Sequence, residues 1–268
     1  MNQETPTTNL PTCYVINMTK DKDRRDIMTQ RLEAAGVPYE FFEAVNGYKL
    51  DPDNMDFYDR KRRCRYFGRD LLPGELGCLL SHYNVFKKMD EENIEHAVIL
   101  EDDVIFENDF PQVLQALLNT AVKWDVIRFL GSKKIYKRGC RKIAPLVDRY
   151  QLARLPTAPG GAHGYLMTLK AARVMVAHMQ KNWLPIDTLQ GRTWETGLET
   201  LVVHPAPLYP DAEAGSTIGD ARFDKTVRLE GIEKKLFPLY RAWFKISETM
   251  GKKYIYWSAW WRDTRRNS

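Results

Sequence analysis

The chain has 268 residues, of which 44% are hydrophobic and 12% aromatic, and its formal net charge is +5. This composition excludes a disordered or low-complexity polypeptide, and no apolar run approaches the roughly 20 residues that a bilayer-spanning helix needs. The charge is uneven: ten basic and four acidic residues lie between Arg228 and Ser268, so the excess belongs to the tail and the preceding chain is nearly neutral.

Residues 1–12 are polar, contain two prolines and lack the basic-then-apolar order of a secretory signal. They read as a disordered lead, and a cytoplasmic location is expected. Cys13, Cys64, Cys78 and Cys140 are scattered with no Cys-x-x-Cys pair, a pattern expected of reduced thiols rather than a zinc site or disulfide framework.

Cys13 to Met18 is a short apolar run that reads as a strand, and Arg24 to Ala35 has helical spacing stopped by Gly36 and Pro38. Tyr39 to Val45 reads as a second strand, which makes the opening a β-α-β unit. Residues 51–70 are basic and read as irregular. Pro73-Gly74-Glu75 then opens a strong helix with Leu76, Leu79, Leu80, Tyr83 and Phe86 on one stripe, and Glu75, Cys78 and His82 on a strip beside it.

Ala97-Val-Ile-Leu100 is continuously apolar, as suits a strand covered on both faces, and it ends in Glu101-Asp102-Asp103. Trp124 to Leu130, Gly164 to Thr168 and Leu201 to His204 read as further strands. Ala171 to Met179 reads as a helix, Lys133 to Arg149 as a loop with a short hairpin, and Asp211 to Asp224 as a polar loop.

Ligands of open α/β sheets collect beyond the carboxyl ends of the strands, where the acidic triplet is expected. Three adjacent carboxylates repel one another. A divalent cation offsets that repulsion, and oxygen donors suit Mg2+ or Mn2+, which in turn grips a nucleotide diphosphate. The competing reading is a solvated turn.

Four segments together resemble one family: Tyr14-Val-Ile-Asn-Met18 with Asp23-Arg24-Arg25, Phe41-Phe-Glu-Ala-Val-Asn-Gly47, Gly74-Glu-Leu-Gly-Cys78 with Ser81-His82, and Val98-Ile-Leu-Glu-Asp-Asp-Val104. They are similar to the bacterial lipooligosaccharide glycosyltransferases of family 25, over about residues 13–187. Asn46 departs from the Asp that many members carry in this second segment.

The resemblance implies an α/β fold of GT-A type: a Rossmann-like mixed sheet flanked by helices, spanning residues 13–227. It also implies an inverting transfer from a UDP-sugar, with UDP-galactose first, Mn2+ or Mg2+ as cofactor, and a β-linked product on a lipid-linked oligosaccharide. Its Pro-Val-Asp segment matches Pro185-Ile-Asp187, which makes Asp187 the first candidate for the base that removes the acceptor proton. N-capping a helix is the other reading of Asp187, and Glu195 and Glu199 stand in reserve.

Asn17, Arg24, Arg25, His82, Glu101, Asp102 and Asp103 are the candidate sugar-nucleotide contacts. Glu101, Asp103 and His204 are the candidate metal ligands. His163, after Gly160-Gly161, is a candidate acceptor contact. Residues 228–268 form a basic, aromatic helical extension that matches nothing in the family, and nine of its residues are aromatic. Such residues favour an anionic membrane interface, which places the expected protein peripherally at the inner face of the bacterial inner membrane. Basic residues among aromatics also suit single-stranded nucleic acid, and an inactive sugar-nucleotide binder is a third possibility. The near-neutral core gives no reason to expect a nucleic-acid partner.

Overall fold

The computed structural model describes residues 10–130, 139–157, 159–213 and 226–266. The lead before Leu10, the first residues (133–138) of the loop expected from Lys133 to Arg149, and the polar loop from residue 214 lie outside them. Ten strands and eight α-helices occur among the described residues. An eight-stranded sheet holds β1 (Cys13–Asn17), β2 (Tyr39–Glu43), β3 (His96–Glu101), β5 (Val126–Arg128), β6 (Arg141–Pro145), β7 (Gln151–Arg154), β8 (Gly164–Thr168) and β9 (Thr200–His204). Their order is β2-β1-β3-β8-β5-β9-β7-β6, and β8 and β7 run against the other six. Two short strands, β4 (Val104–Phe106) and β10 (Leu208–Pro210), pair separately.

Strand side chains alternate between two cores, so both faces of the central strands are apolar and the sequence shows continuous runs. Tyr14, Ile99, Tyr165 and Met167 pack with α3 (Pro73–Glu91) and α5 (Leu169–His178). Val15, Val98, Leu100, Ile127 and Leu166 pack on the other face with α1 (Lys22–Ala35) and α4 (Phe110–Asn119). The architecture is the expected α/β type, a mixed sheet flanked by helices.

The basic stretch expected to be irregular contains α2 (Arg60–Phe67). Asp59 caps it by accepting from the Arg62 N–H at 3.0 Å, and Gly68 ends it at φ 74°. Its arginines are accommodated by aromatic faces: Arg62 lies 4.5 Å from the Trp183 ring centre and Arg63 3.9 Å from that of Phe67. Helix α4 was not foreseen either, although Phe110, Val113, Leu114 and Leu117 form a buried stripe at helical spacing.

Two short helices, α6 (Ile186–Gln190) and α7 (Thr193–Thr196), precede β9, and the tail forms one long helix, α8 (Gly231–Arg266). Helix α8 docks along its length. Phe244 is buried among Tyr66, Phe67 and Trp183, Gly251 lies against the Trp194 ring, and Asp263 pairs with Arg141 at 2.5 Å. No described helix is long and apolar enough to cross a membrane.

Candidate active site

The carboxyl ends of β1 and β3 and the start of β8 share one rim of the sheet, because β8 is antiparallel to β3. Asn17 ends β1 and is buried. Its side-chain amide donates to Asp102 Oδ2 at 2.8 Å, while Arg24, in the first turn of α1, donates to Asp102 Oδ1 at 2.6 Å. The middle acid of the triplet is therefore neutralised and fixed. Arg25 turns the other way, onto the Phe41 ring at 4.2 Å, and does not join this group.

The chain leaves extended geometry after Glu101, so the alternation expected to put Glu101 and Asp103 on one side does not operate. The turn brings them together nonetheless. The Cys78 thiol, on α3, is pushed well above its ordinary pKa by burial and then by the carboxylates of Glu101, Asp187 and Asp103. Glu101 and Asp103 of the acidic triplet and Asp187, 84 or more positions later, thus all act electrostatically on one thiol.

Asp103 is raised to about 6 by burial and by Glu101, with Arg24 opposing. Its Oδ1 is buried without a hydrogen-bond partner among the described residues, and its carbonyl accepts from the Asp211 N–H at 2.6 Å, which pins the turn. Burial pushes Glu101 upward, but His82, His163 and Cys78 outweigh it and hold the carboxyl below its ordinary value. An orphaned buried carboxylate oxygen beside an ionised carboxylate fits a hard divalent cation.

His82 is fully buried on α3. Its Nδ1 lies 2.7 Å from the Tyr165 hydroxyl, its ring stacks on Tyr165, and its Nε2 faces Glu101 Oε1 at 3.9 Å. Glu75, on the same strip, instead closes the start of α3 by accepting from the Leu72 N–H at 2.8 Å. The carbonyl of His163 accepts from the Glu101 N–H at 3.0 Å, and burial lowers the pKa of its ring although Glu101 pulls it up.

Asp187 enters from α6. Pro185 occupies the N-cap position, so Asp187 sits inside the first turn and accepts from the following Thr188 N–H at 2.6 Å. Gly160 leaves room for it: a Cβ there would stand 2.7 Å from Asp187 Oδ2. The next residue, Gly161, takes φ 101°, a region that glycine enters freely, and its carbonyl accepts from Arg128 at 2.6 Å.

The reserve acids are engaged elsewhere. Burial would raise Glu195, but His178 and Arg192 hold it down to about 2, and Glu199 pairs with Arg154 and Arg262. His204 stands opposite Gln151, and β8, β5 and β9 follow β3 in order, so it lies about three strand spacings (roughly 14 Å) from the acidic cluster. The structure does not bring it to Glu101 and Asp103. Tyr165 was missed as a site residue because its strand reads as plain core.

The sequence profile of the family described as glycosyltransferase family 25 (LPS biosynthesis protein) matches residues 10–190, from before β1 to the end of α6. The chain belongs to glycosyltransferase family 25. This family 25 chain is 32% identical over 188 residues to procollagen galactosyltransferase 1-B of Xenopus laevis, covering 65% of this chain and 29% of that protein. It is 31% identical over 185 residues to procollagen galactosyltransferase 2 of Homo sapiens, with the same coverage. It therefore spans about three tenths of the length of these relatives. Among solved structures, a glycosyltransferase involved in the glycosylation of the major capsid of PBCV-1 covers 72% of this chain and 80% of its own, with a TM-score of 0.36 and 9% identity.

Proposed function

We propose that this family 25 chain is an inverting glycosyltransferase that moves galactose from UDP-galactose, in β-linkage, onto a lipid-linked oligosaccharide of the lipooligosaccharide class. The observation that carries the reading is the buried Asp103 Oδ1, without a hydrogen-bond partner among the described residues, beside Glu101 at the carboxyl end of β3, with Asp187 held against Gly160. Glu101 and Asp103 are the oxygen ligands for Mn2+ or Mg2+, and such a cation, when bound, neutralises the leaving diphosphate.

Arg24, Asn17 and Asp102 form a fixed polar edge at the end of β1 for the nucleotide. Asp187 takes the proton of the acceptor hydroxyl while that oxygen attacks the anomeric carbon. The bond from that carbon to the diphosphate oxygen breaks, and its electron pair leaves with UDP. The relatives named galactosyltransferases support galactose as the donor sugar.

The outer face of α8 supports a cytoplasmic enzyme held at the inner face of the inner membrane. Ile232, Leu239, Trp243, Ile246, Met250, Tyr254, Trp257 and Trp261 are exposed at steps of three, four and seven residues, a single stripe. The acids of the helix turn elsewhere: Glu233 to Arg65, Glu248 to Lys252 and Asp263 to Arg141. An apolar, aromatic stripe without acids beside it suits anionic lipid.

The test is UDP release from a panel of UDP-sugars, with and without Mn2+. Cation-dependent turnover, fastest with UDP-galactose, is expected. No turnover of any nucleotide sugar overturns the reading.

A further inference from the structure

Cys78 and His82 stand four residues apart on α3 and so project from one face of it. Both reach the same oxygen: Cys78 Sγ and His82 Nε2 each lie 3.9 Å from Glu101 Oε1, and the three donor atoms are within 4.8 Å of one another. A separation of 3.9 Å is too long for a nitrogen–oxygen hydrogen bond. It does suit two ligands of one zinc ion, whose bonds are about 2.0–2.3 Å long.

His82 Nε2 is an independent indication. The side chain is 0% exposed, yet among the described residues this nitrogen has no hydrogen-bond partner. The other ring nitrogen is held by the Tyr165 hydroxyl at 2.7 Å. Metal-bound histidines are oriented in this way. When Nδ1 carries the proton and donates to the tyrosine oxygen, the lone pair of Nε2 faces Glu101.

We propose that Cys78 Sγ, His82 Nε2 and a Glu101 carboxylate oxygen form a zinc site with its fourth position open toward the rim of the sheet. A thiolate, an imidazole and a carboxylate together select zinc over Mg2+ or Mn2+, which prefer oxygen alone. On binding, the thiol proton leaves to solvent, a sulfur–metal bond forms and nothing is oxidised. Asp103 and Asp187 add negative charge around the thiol without being ligands. Because Glu101 belongs to both donor sets, zinc competes with the hard cation and inhibits transfer. That consequence rests on the proposed glycosyl transfer, whereas zinc binding itself does not.

The experiment uses the full chain, stripped of metal and kept reduced, titrated with Co2+ as the spectroscopic stand-in for zinc. One equivalent should produce a near-ultraviolet thiolate-to-cobalt band and the visible absorption of a four-coordinate ion, and Zn2+ should erase both. Cys78→Ser should lose the near-ultraviolet band, Cys140→Ser should keep it, and Tyr165→Phe should bind Co2+ about tenfold more weakly with the band intact. A thermal melt of each variant establishes that it is folded. The proposal is overturned if Co2+ binds without the band, if folded Cys78→Ser retains the band, or if Co2+ does not bind. A wild-type turnover assay with added Zn2+ separates the two readings: absent turnover removes the transferase proposal and leaves the spectra standing.

Discussion

Asp103→Asn should stabilise the metal-free protein while weakening its grip on a cation. Burial and Glu101 move the Asp103 carboxyl from its ordinary 3.8 to about 6. A carboxyl raised on folding contributes its full stability below the unfolded value, about pH 4, and loses that contribution as pH climbs through about 6. At about pH 8 the folded wild type therefore bears the whole cost of an ionised, crowded Asp103.

A shift of roughly two units at 1.36 kcal/mol each sets a ceiling of about 3 kcal/mol, and partial exposure at the rim brings the expectation to about 1–3 kcal/mol. Asparagine keeps the shape and removes the charge. In a chelator, the variant should melt several degrees above wild type at about pH 8, at about 2–4 °C per kcal/mol, and level with it near pH 4. Added Mn2+ should reverse the order by raising the wild-type melting temperature more. Thermal melts at the two pH values, with and without Mn2+, decide it. A variant less stable than wild type at high pH, or a difference that ignores pH, would refute the electrostatic account.

Asp187→Asn should lower kcat by about 10²–10⁴-fold with little change in donor KM, because it removes a proton acceptor rather than a donor contact; a large rise in KM alone would remove it as the base. Gly160→Ala should displace the Asp187 carboxylate, whose oxygen would lie 2.7 Å from the new carbon, and reduce kcat with the fold intact. Near-normal turnover would mean that the close approach is not needed. Replacing Trp243, Trp257 and Trp261 together by Ser should weaken sedimentation with anionic vesicles at least about tenfold while leaving the melting temperature nearly unchanged, since all three are exposed. Unchanged vesicle binding would refute the outward stripe as the contact.

Much of the fold was legible because local chemistry and long-range packing agree. The apolar run from Ala97 to Leu100 is buried on both faces of the sheet, as a continuous run should be, and Gly36 ends α1 in the left-handed conformation its sequence position implies. Helix α2 was not legible, since its arginines look solvated until the Trp183 and Phe67 rings are in place. The tail was legible as aromatic and basic, but not which rings face inward: Phe244 is buried in the core while Trp243 beside it is 64% exposed.

The site divides in the same way. The sequence by itself determined that an acidic triplet ends a buried strand and that Cys78 and His82 share a helix face, because strand and helix periodicities are local properties. Only the tertiary structure decided what each group does. It paired Asp102 with Asn17 and Arg24, left Asp103 Oδ1 without a hydrogen-bond partner among the described residues, brought Asp187 in against Gly160, and held His204 away with β9. Those outcomes depend on strand order and on turns that join residues far apart in the chain, 85 positions for Asn17 and Asp102 and 78 for Arg24 and Asp102, and no local pattern encodes such distances.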